Sequence, residues 1–522
     1  MQPTYTRSSA IVIAFFLSIL SGGGYAQSSS PSPTPSAKSG ATNQPQTVFK
    51  STTRLVVLDV VVTDDKGQPV TGLKSEDFTV KENGEPQNVI DFSFHTPGNI
   101  AQSPSQPGIV TNTPLYRGQS CLNVILLDAI NTDFSSHAYA QDMLAKYLDS
   151  GPAIQPTAVY ALEANLIMLH DFTTDTKALR DVLSHYKSVG PTHLPTVEAA
   201  ASPFGHTGSF QTSPRGRTAA FYAMSFLAEG LAGYPGRKNL IWISEGFPLN
   251  LFPDALMTDQ VVSIEDFSPI MEKIADDLMA AQVAVYPISA AGVSLNSQFA
   301  AHSAMAGLAQ RTGGKTFFNR NDLDMGVRTS LDDGATYYTL EYYPSDKNWN
   351  QKFRHIQVKL DRPGVKLQNR DGYYAMNPNV RYGDNVVNQQ FSNALSLNAP
   401  ASTAVSFQAA ITPPSEKTQN KLLVRFAIDP RSLSFRRGSD DLDHAEINCV
   451  VWAYPVKGDP IREEGGTISA ALKEDVYQQL LRSSFPCQRA LDLKPGRYTL
   501  RLGVLDRTTS LIGTSSAQVT VP

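Results

Sequence analysis

Two acidic residues that each follow a run of apolar residues are the first candidates for chemistry. Asp128 closes one such run, and Glu245 comes directly after another. Asn131 and Thr132 follow the first acid, and Thr218 opens a predicted helix between the two. Carboxylate, amide and hydroxyl oxygens bind hard divalent cations, and the same groups also cap loops and helix starts. These five side chains therefore indicate either a binding site or a set of caps.

Alternating strands and helices are predicted to position these residues. Apolar runs typical of buried strands alternate with helical segments from residue 121 to residue 343. Such alternation predicts a parallel sheet covered by helices on both faces. Ligands of such sheets bind outside the carboxyl ends of the strands, so we expect Asp128 and Glu245 to converge there. The predicted strands are 122–128, 158–164, 166–170, 239–244, 283–288, 316–318 and 337–343, and the predicted helices are 136–148, 176–186, 218–232, 264–280, 299–312 and 323–333.

Segments rich in β signals are predicted on either side of this α/β region. Residues 48–97 contain three strand-like runs, which form either a small sandwich-like unit or a β-extension of the α/β region. Residues 401–522 alternate apolar and polar positions and predict a β-sandwich with one short helix near 473–482. The predicted division is a signal peptide over 1–26, a disordered linker over 27–47, an N-terminal β unit over 48–97, a linker over 98–119, the α/β domain over 120–376, a linker over 377–400 and the C-terminal β-sandwich over 401–522.

The first residues predict export. Arg7 supplies a positive charge, the apolar core spans 11–20, and small residues precede a cleavage position after Ala26. This pattern is typical of a secretory signal peptide. The alternative, a transmembrane anchor, requires a longer apolar run to cross ~30 Å of hydrocarbon. No later segment reaches ~18 consecutive apolar residues, so the mature chain is predicted to have no transmembrane segment and to lie in the periplasm, on the outer surface or outside the cell.

Charge and cysteine content narrow the functional classes. The formal net charge is −4, so the chain has no overall basic field for nucleic acid. Cys449 and Cys487 lie in the same C-terminal region and could form a disulfide in an oxidising compartment, whereas Cys121 precedes an apolar strand and is predicted to be a buried free thiol. No cysteine–histidine cluster has the spacing of a zinc site.

The order of the polar residues resembles the von Willebrand factor A (VWA) domain. That family has a metal-ion-dependent adhesion site with an Asp-x-Ser-x-Ser loop, a Thr in a second loop and an Asp after a later strand. Asp128, Thr132, Thr218 and Glu245 take these positions here. The segments 62–73, 231–248 and 370–374 are also similar to VWFA-related proteins of acidobacteria, so the resemblance covers about residues 50–375. It implies an α/β doubly wound, VWA-like central domain in an exported adhesion or scaffold protein that binds a protein partner.

Two departures from the family motif decide how the site is interpreted. Ile130 stands where the motif has its first Ser, and Glu245 is one methylene longer than the family's Asp. Mg²⁺ requires near-octahedral oxygen geometry, so a lost ligand is costly, although water or Asn131 could replace it. The sequence therefore predicts a degenerate site. Its binding residues are Asp128, Asn131, Thr132, Thr218 and Glu245; if Mg²⁺, Mn²⁺ or Ca²⁺ binds, the ligands are Asp128, Thr132, Thr218 and Glu245.

Two functions remain open from the sequence. The first is a non-enzymatic binding protein that contacts its partner at the strand ends, with the long loop 189–214 as the best candidate for partner contact. The second is a metal-assisted extracytoplasmic hydrolase, which needs an open coordination position and a general base near Asp128. No distinctive hydrolase motif accompanies the acids, so the first function is favoured.

Overall fold

The computed structural model describes residues 55–97, 108–113, 121–150, 154–163, 166–188, 219–245, 268–291, 299–320, 322–375, 383–397, 399–463 and 465–522. The predicted signal peptide, the linker 27–47, the loop 189–214 and Thr218 lie outside these residues. All described elements belong to the unit Thr52–Pro522. Within the described residues, no helix is long and apolar enough to span a membrane.

The described strands and helices extend over the whole of this unit. The strands are β1 (Val56–Asp64), β2 (Phe78–Glu82), β3 (Glu85–Pro86), β4 (Val89–His95), β5 (Ile109–Thr111), β6 (Cys121–Asp128), β7 (Thr157–Leu162), β8 (Leu166–Thr173), β9 (Arg237–Ser244), β10 (Val283–Ser289), β11 (Tyr337–Tyr342), β12 (Phe353–Leu360), β13 (Val365–Gln368), β14 (Gly372–Tyr374), β15 (Phe407–Thr412), β16 (Leu422–Ile428), β17 (Arg436–Arg437), β18 (Asp443–Pro455), β19 (Ile461–Glu463), β20 (Ile468–Leu472), β21 (Phe485–Leu491), β22 (Gly496–Asp506) and β23 (Leu511–Val521). The helices are α1 (Phe134–Asp149), α2 (Thr176–His185), α3 (Ala219–Leu231), α4 (Ser268–Ala280), α5 (Phe299–Thr312), α6 (Leu323–Asp332), α7 (Asp384–Ala394) and α8 (Glu474–Leu480).

The central sheet has the strand order β10-β9-β6-β7-β8. Strands β10, β9, β6 and β7 are parallel, as predicted, and every residue of these four strands is buried. Strand β8 differs from the prediction because it runs antiparallel to β7. Only three residues separate the two strands, which is enough for a hairpin but far too few for a parallel crossover.

Helices cover both faces of this sheet. Alternate side chains of a strand point to opposite faces, so each strand contributes to two separate cores. On one face the core includes Leu126, Trp242 and side chains of α3, α4 and α5. On the other face, Ile125 and Ile241 pack with side chains of α1, α2 and α6. The central region is therefore a mixed sheet with helices on both sides.

The order of the strands creates a switch point between β6 and β9. After β6 the chain builds β7 and β8 on one side, and it then returns to build β9 and β10 on the other side. Helix α1, which follows β6, and helix α4, the next described helix after β9, pack on opposite faces of the sheet. A crevice at such a position is where open α/β sheets bind their ligands.

The N-terminal strands are completed by residues far along the chain. Strand β1 pairs with β11 and β13, β4 pairs with β11, and β2 pairs with β12. A buried ion pair joins these strands, because Arg354 Nη1 lies 3.1 Å from Glu82 Oε1 and both side chains are 2% exposed. The predicted strand 337–343 therefore differs from the prediction, because β11 lies in an antiparallel sheet with β1 and β4 and outside the central parallel sheet.

Two sheets in the C-terminal region share one core. One has the order β21-β16-β15-β5, and the other contains β17, β18, β22 and β23 with β19 and β20 beside β18. A disulfide between Cys449 of β18 and Cys487 of β21 joins the two sheets. Two segments differ from the predicted linkers. Strand β5, which lies within the predicted linker 98–119, pairs with β15 at the edge of the first sheet. Helix α7, which lies within the predicted linker 377–400, packs its apolar side chains against β18, β22 and β23.

A close contact fixes this region against α3. The backbone N–H of Gly233 donates to Thr403 Oγ1 at 3.0 Å, and this hydroxyl donates to the carbonyl of Gly230 at 2.7 Å. A Cβ atom on Gly233 would lie only 1.9 Å from the carbonyl oxygen of Thr403. Glycine is therefore required at position 233 for the backbone of residue 403 to approach.

We predict that Gly233→Ala lowers the free energy of unfolding by about 1–3 kcal/mol, the usual cost of overpacking. The matched control is Gly307→Ala in α5, where an added Cβ meets nothing within 4 Å. There the change should stabilise by about 0.5–1 kcal/mol, since alanine is the better helix former. Urea unfolding followed by circular dichroism measures both; equal effects at the two glycines would contradict the contact.

Candidate functional site

Asp128 is the centre of the site. It is the last residue of β6, and its side chain has no exposed surface. Its Oδ1 accepts the backbone N–H groups of Ile130 at 3.2 Å and Asn131 at 3.0 Å. Its Oδ2 accepts Asn131 Nδ2 at 2.9 Å, Trp242 Nε1 at 3.1 Å and Ser244 Oγ at 3.0 Å. Five donors from two strand ends thus converge on one carboxylate.

Burial and hydrogen bonding act in opposite directions on this carboxylate. Burial raises the pKa of Asp128, because the charged form loses its hydration, and the hydrogen bonds from Asn131, Ser244 and Trp242 lower it. A carboxylate offers about four lone-pair positions, and here five donors share them. A cation could bind these oxygens only by displacing at least one donor.

The loop after β6 takes its shape from Asp128. An aspartate that accepts N–H groups two and three residues further on forms a local turn typical of Asx motifs. In this turn Ile130 is partly buried and packs against the core cluster that includes Trp242 and Leu126. The isoleucine at the position of the first serine in the VWA motif, which the sequence resembles, thus contributes to the core.

A second pair of hydrogen bonds links this loop to the end of β9. The backbone N–H of Glu245 donates to Thr132 Oγ1 at 3.1 Å, and Glu245 Oε2 accepts the N–H of Asp133 at 2.9 Å. Thr132 is 4% exposed, whereas the bond from Asp133 to Glu245 lies at the exposed surface. Of the five residues predicted from the sequence, the structure brings together Asp128, Asn131, Thr132 and Glu245.

Helix α1 begins directly beside this link. Asp133 is its N-cap and accepts Ser136 N and Ser135 Oγ, both at 2.7 Å, and these bonds lower the pKa of Asp133. The helix therefore starts two residues before the predicted Ser136. Phe134, its first residue, is 73% exposed.

Sequence reasoning missed Trp242, Ser244, Asp133 and Phe134 as members of the site. The sequence did contain a signal for Trp242, because a tryptophan in a buried strand needs a partner for its indole N–H. In the parallel register Trp242 lies beside Leu126, which comes two residues before Asp128. The side chains of Trp242 and Asp128 therefore point to the same face of the sheet. That spacing places the indole N–H within reach of the aspartate.

The described side chains do not fit a divalent cation in this arrangement. The oxygens of Asp128 are occupied, Ile130 offers no oxygen, and the hydroxyl of Thr132 accepts the N–H of Glu245. Throughout the part of the chain that the structure describes, no group of three or more His, Cys, Asp or Glu residues is placed to hold a metal. What these side chains provide is a set of hydrogen bonds that orders the ends of β6 and β9.

Comparisons with known proteins give distant structural likenesses. No family model matches the chain, and no curated protein matches it. Solved structures with VWA domains are among those it is similar to. The von Willebrand factor type A protein from Catenulispora acidiphila is 9% identical, with 83% of this chain and 74% of that one covered and a TM-score of 0.21. The ArnB paralog VWA2 from Sulfolobus acidocaldarius is 9% identical, with 85% and 74% covered and a TM-score of 0.21.

A third likeness covers a smaller part of the chain. The aerotolerance-related membrane protein from Bacteroides fragilis is 10% identical, with 41% of this chain and 99% of that one covered and a TM-score of 0.25. Scores this low carry no information about function, so the function proposed for this chain rests on its own geometry.

We predict that Asp128→Asn lowers the free energy of unfolding by about 2–6 kcal/mol. An amide nitrogen in place of either carboxylate oxygen leaves at least two buried donors without an acceptor, and each costs about 1–3 kcal/mol. The control is Asp149→Asn at the exposed end of α1, where loss of the solvent-exposed ion pair with Arg180 should change the free energy of unfolding little. Urea unfolding compares the two, and a similar small loss at both positions would refute the role of Asp128.

We also predict that millimolar Mg²⁺, Mn²⁺ or Ca²⁺ leaves the Tm of the wild-type protein unchanged, since only a bound ion stabilises by mass action. The double variant Ile130→Ser/Trp242→Phe adds a hydroxyl and removes one donor from Asp128 Oδ2. The Tm of this double variant should rise with Mn²⁺ concentration. Scanning calorimetry with Na⁺ at matched ionic strength provides the control; a wild-type Tm that rises only with divalent ions would contradict the geometry.

Proposed function

We propose that this protein is an exported, non-enzymatic binding or scaffold protein that holds a protein partner on the carboxyl-end face of its central sheet. The observation that carries the proposal is the convergence of five hydrogen bonds on Asp128 at the switch point of the sheet. These bonds fix the loop 129–133 and the end of β9 as one preorganised surface. A surface that is ordered before binding loses less entropy when a partner docks.

The proposed site is a degenerate metal-ion-dependent adhesion site that works without a metal. Donors from the protein occupy the positions on Asp128 that an ion would need, which supports contact through the loops themselves. The same observation disfavours the hydrolase, because metal-activated water requires an open coordination position. The motifs at 62–73, 231–248 and 370–374 support a place among the VWFA-related proteins that resemble those of acidobacteria.

The flanking regions are proposed to orient the binding face. The two C-terminal sheets form a β-sandwich in this proposal, and the disulfide between Cys449 and Cys487 suits an oxidising compartment outside the cytoplasm. The close contact of Gly233 with Thr403 joins this sandwich to the C-terminal end of α3. The sandwich then acts as a spacer with a fixed direction relative to the sheet.

A pull-down from the native envelope tests this function. We expect the wild-type chain to capture the same partner with and without chelator, and Glu245→Arg to capture at least tenfold less. Reversal of a charge at an interface creates like-charge contacts or removes complementary ones. Glu474→Arg, on α8, is the matched control because Glu474 is 60% exposed and lies in the C-terminal region.

Two outcomes would contradict the proposal. Equal capture by Glu245→Arg and Glu474→Arg would move the partner away from this face. Loss of capture by the wild-type chain in chelator would show that the partner contact needs a metal. Circular dichroism of both variants verifies that each is folded.

A further inference from the structure

The second half of β23 lies at an edge of its sheet. Strand β23 ends the sheet that contains β18 and β22, and β22 pairs with it along its whole length. On the other side, residues 402–405 cover only its first half, through bonds such as that from Thr514 N–H to the carbonyl of Ser402 at 2.8 Å. In the part of the chain that the structure describes, no other backbone pairs with Ser516–Val521, which we call the open edge.

The bonds of the covered half show which backbone groups of β23 point away from β22. The N–H of Thr514 and the carbonyl of Ile512 both bond to the segment on the far side from β22. The N–H and C=O of one residue in an antiparallel strand point to the same side, and successive residues alternate. The register with β22 is continuous, so no bulge interrupts this alternation. Ser516, Gln518 and Thr520 therefore present three N–H and three C=O groups on the open edge.

The open edge lacks the features that protect other edges from pairing. Exposed edge strands are usually short or carry charges, prolines or bulges, because they otherwise pair with further strands. Each of the other edge strands in the described residues has five residues or fewer, or carries a charge or a proline, as with Asp91 in β4, Asp171 in β8, Pro287 in β10 and Arg489 in β21. Strand β23 has 11 residues and neither a charged residue nor a proline. Its open edge is therefore suited to pairing with another strand.

We propose that two copies of this chain form a dimer in which the open edge of one β23 pairs antiparallel with the open edge of the other. With Gln518 opposite Gln518 of the second copy, Ser516 lies opposite Thr520, and all the outward backbone groups of both copies are paired. The arrangement is two-fold symmetric, so the same surface serves on both copies. This inference goes beyond the proposed function and does not depend on it.

Charge permits the pairing of these identical surfaces. Like charges directly opposite each other destabilise a strand pair, and the open edge carries no charge. The arginines of β22 beside it, Arg497 and Arg501, lie opposite Thr520 and Ser516. In the proposed dimer at least three strand spacings, about 14 Å, separate the backbone at these arginines in one copy from that in the other. This separation exceeds the Debye length of about 10 Å at 0.1 M salt, so their repulsion is largely screened.

The core side of the strand pair adds apolar contact. Val519 packs against the core that the two C-terminal sheets share. In the proposed register Val519 lies opposite Ala517 of the second copy, so apolar side chains continue across the pair on this side of the sheet. A strand pair of this length is smaller than the interfaces of about 1,200–2,000 Å² that stable complexes bury. We therefore expect a dimer that dissociates on dilution.

Sedimentation equilibrium of the full mature chain tests the pairing. We expect the wild-type chain to form dimers over a concentration series that reaches the high micromolar range. Gln518→Lys should weaken self-association about fivefold or more, because two like charges then lie directly opposite each other. Gln518→Glu should do the same, and an equimolar mixture of the two variants should restore dimers, because lysine then lies opposite glutamate.

The control variant is Gln408→Lys, since Gln408 is exposed on β15, a strand with neighbours on both sides. It adds the same charge and should self-associate as the wild-type chain does. Circular dichroism verifies that each variant is folded.

Four results would overturn the inference. The first is a wild-type chain that stays monomeric throughout the series, and the second is equal self-association of Gln518→Lys and the wild-type chain. The third is a mixture of the lysine and glutamate variants that associates no more than either variant alone, because two-fold pairing at Gln518 requires the opposite charges to meet. The fourth is assembly beyond a dimer, since a two-fold pair occupies both open edges.

Discussion

The carboxylate of Asp128 lies fully buried at the end of a strand, where an uncompensated charge would be prohibitively costly. Two backbone N–H groups, an amide, an indole and a hydroxyl satisfy it, and they come from the loop after β6 and from β9. The carboxylate of Asp128 in turn holds each of these donors in place. The requirement to satisfy this one group therefore fixes the geometry of both strand ends.

The rest of the site depends on that requirement. The turn around Asp128 directs Ile130 into the core and presents Thr132 to the N–H of Glu245. The return bond from Asp133 to Glu245 places the first turn of α1, and with it Phe134, at the solvent boundary. A cation on the oxygens of Asp128 would need at least one of these bonds to break. The surface is accordingly ordered by the protein's own donors and is presented by a sheet whose two sides are covered with helices.

The sequence predicts the sheet and the position of the site better than it predicts their details. Mainly apolar runs identify β6, β9 and β10 because strands buried on both faces tolerate few polar residues. The antiparallel direction of β8 was not predicted, because apolar periodicity does not encode the direction of a strand. The short connection after Leu162 is the feature of the sequence that indicates this direction. Pairing of β1 with β11 joins residues nearly 300 positions apart, as from Val56 to Tyr342, and no local pattern reports such a contact. The acids were identified from their positions after strands. Trp242 and Ser244 were not identified, because the register between β6 and β9 is what shows that they face Asp128.

The central claim is that protein donors occupy Asp128, and diffraction from crystals grown with millimolar Mn²⁺ tests it most directly. Anomalous scattering locates manganese without ambiguity, and the same map shows the side chains around the carboxylate. The account predicts no anomalous peak near Asp128, with Trp242 Nε1 and Ser244 Oγ within hydrogen-bond distance of Oδ2. A manganese peak at about 2.2 Å from a carboxylate oxygen of Asp128, in the range of metal–oxygen ligand distances, would contradict it.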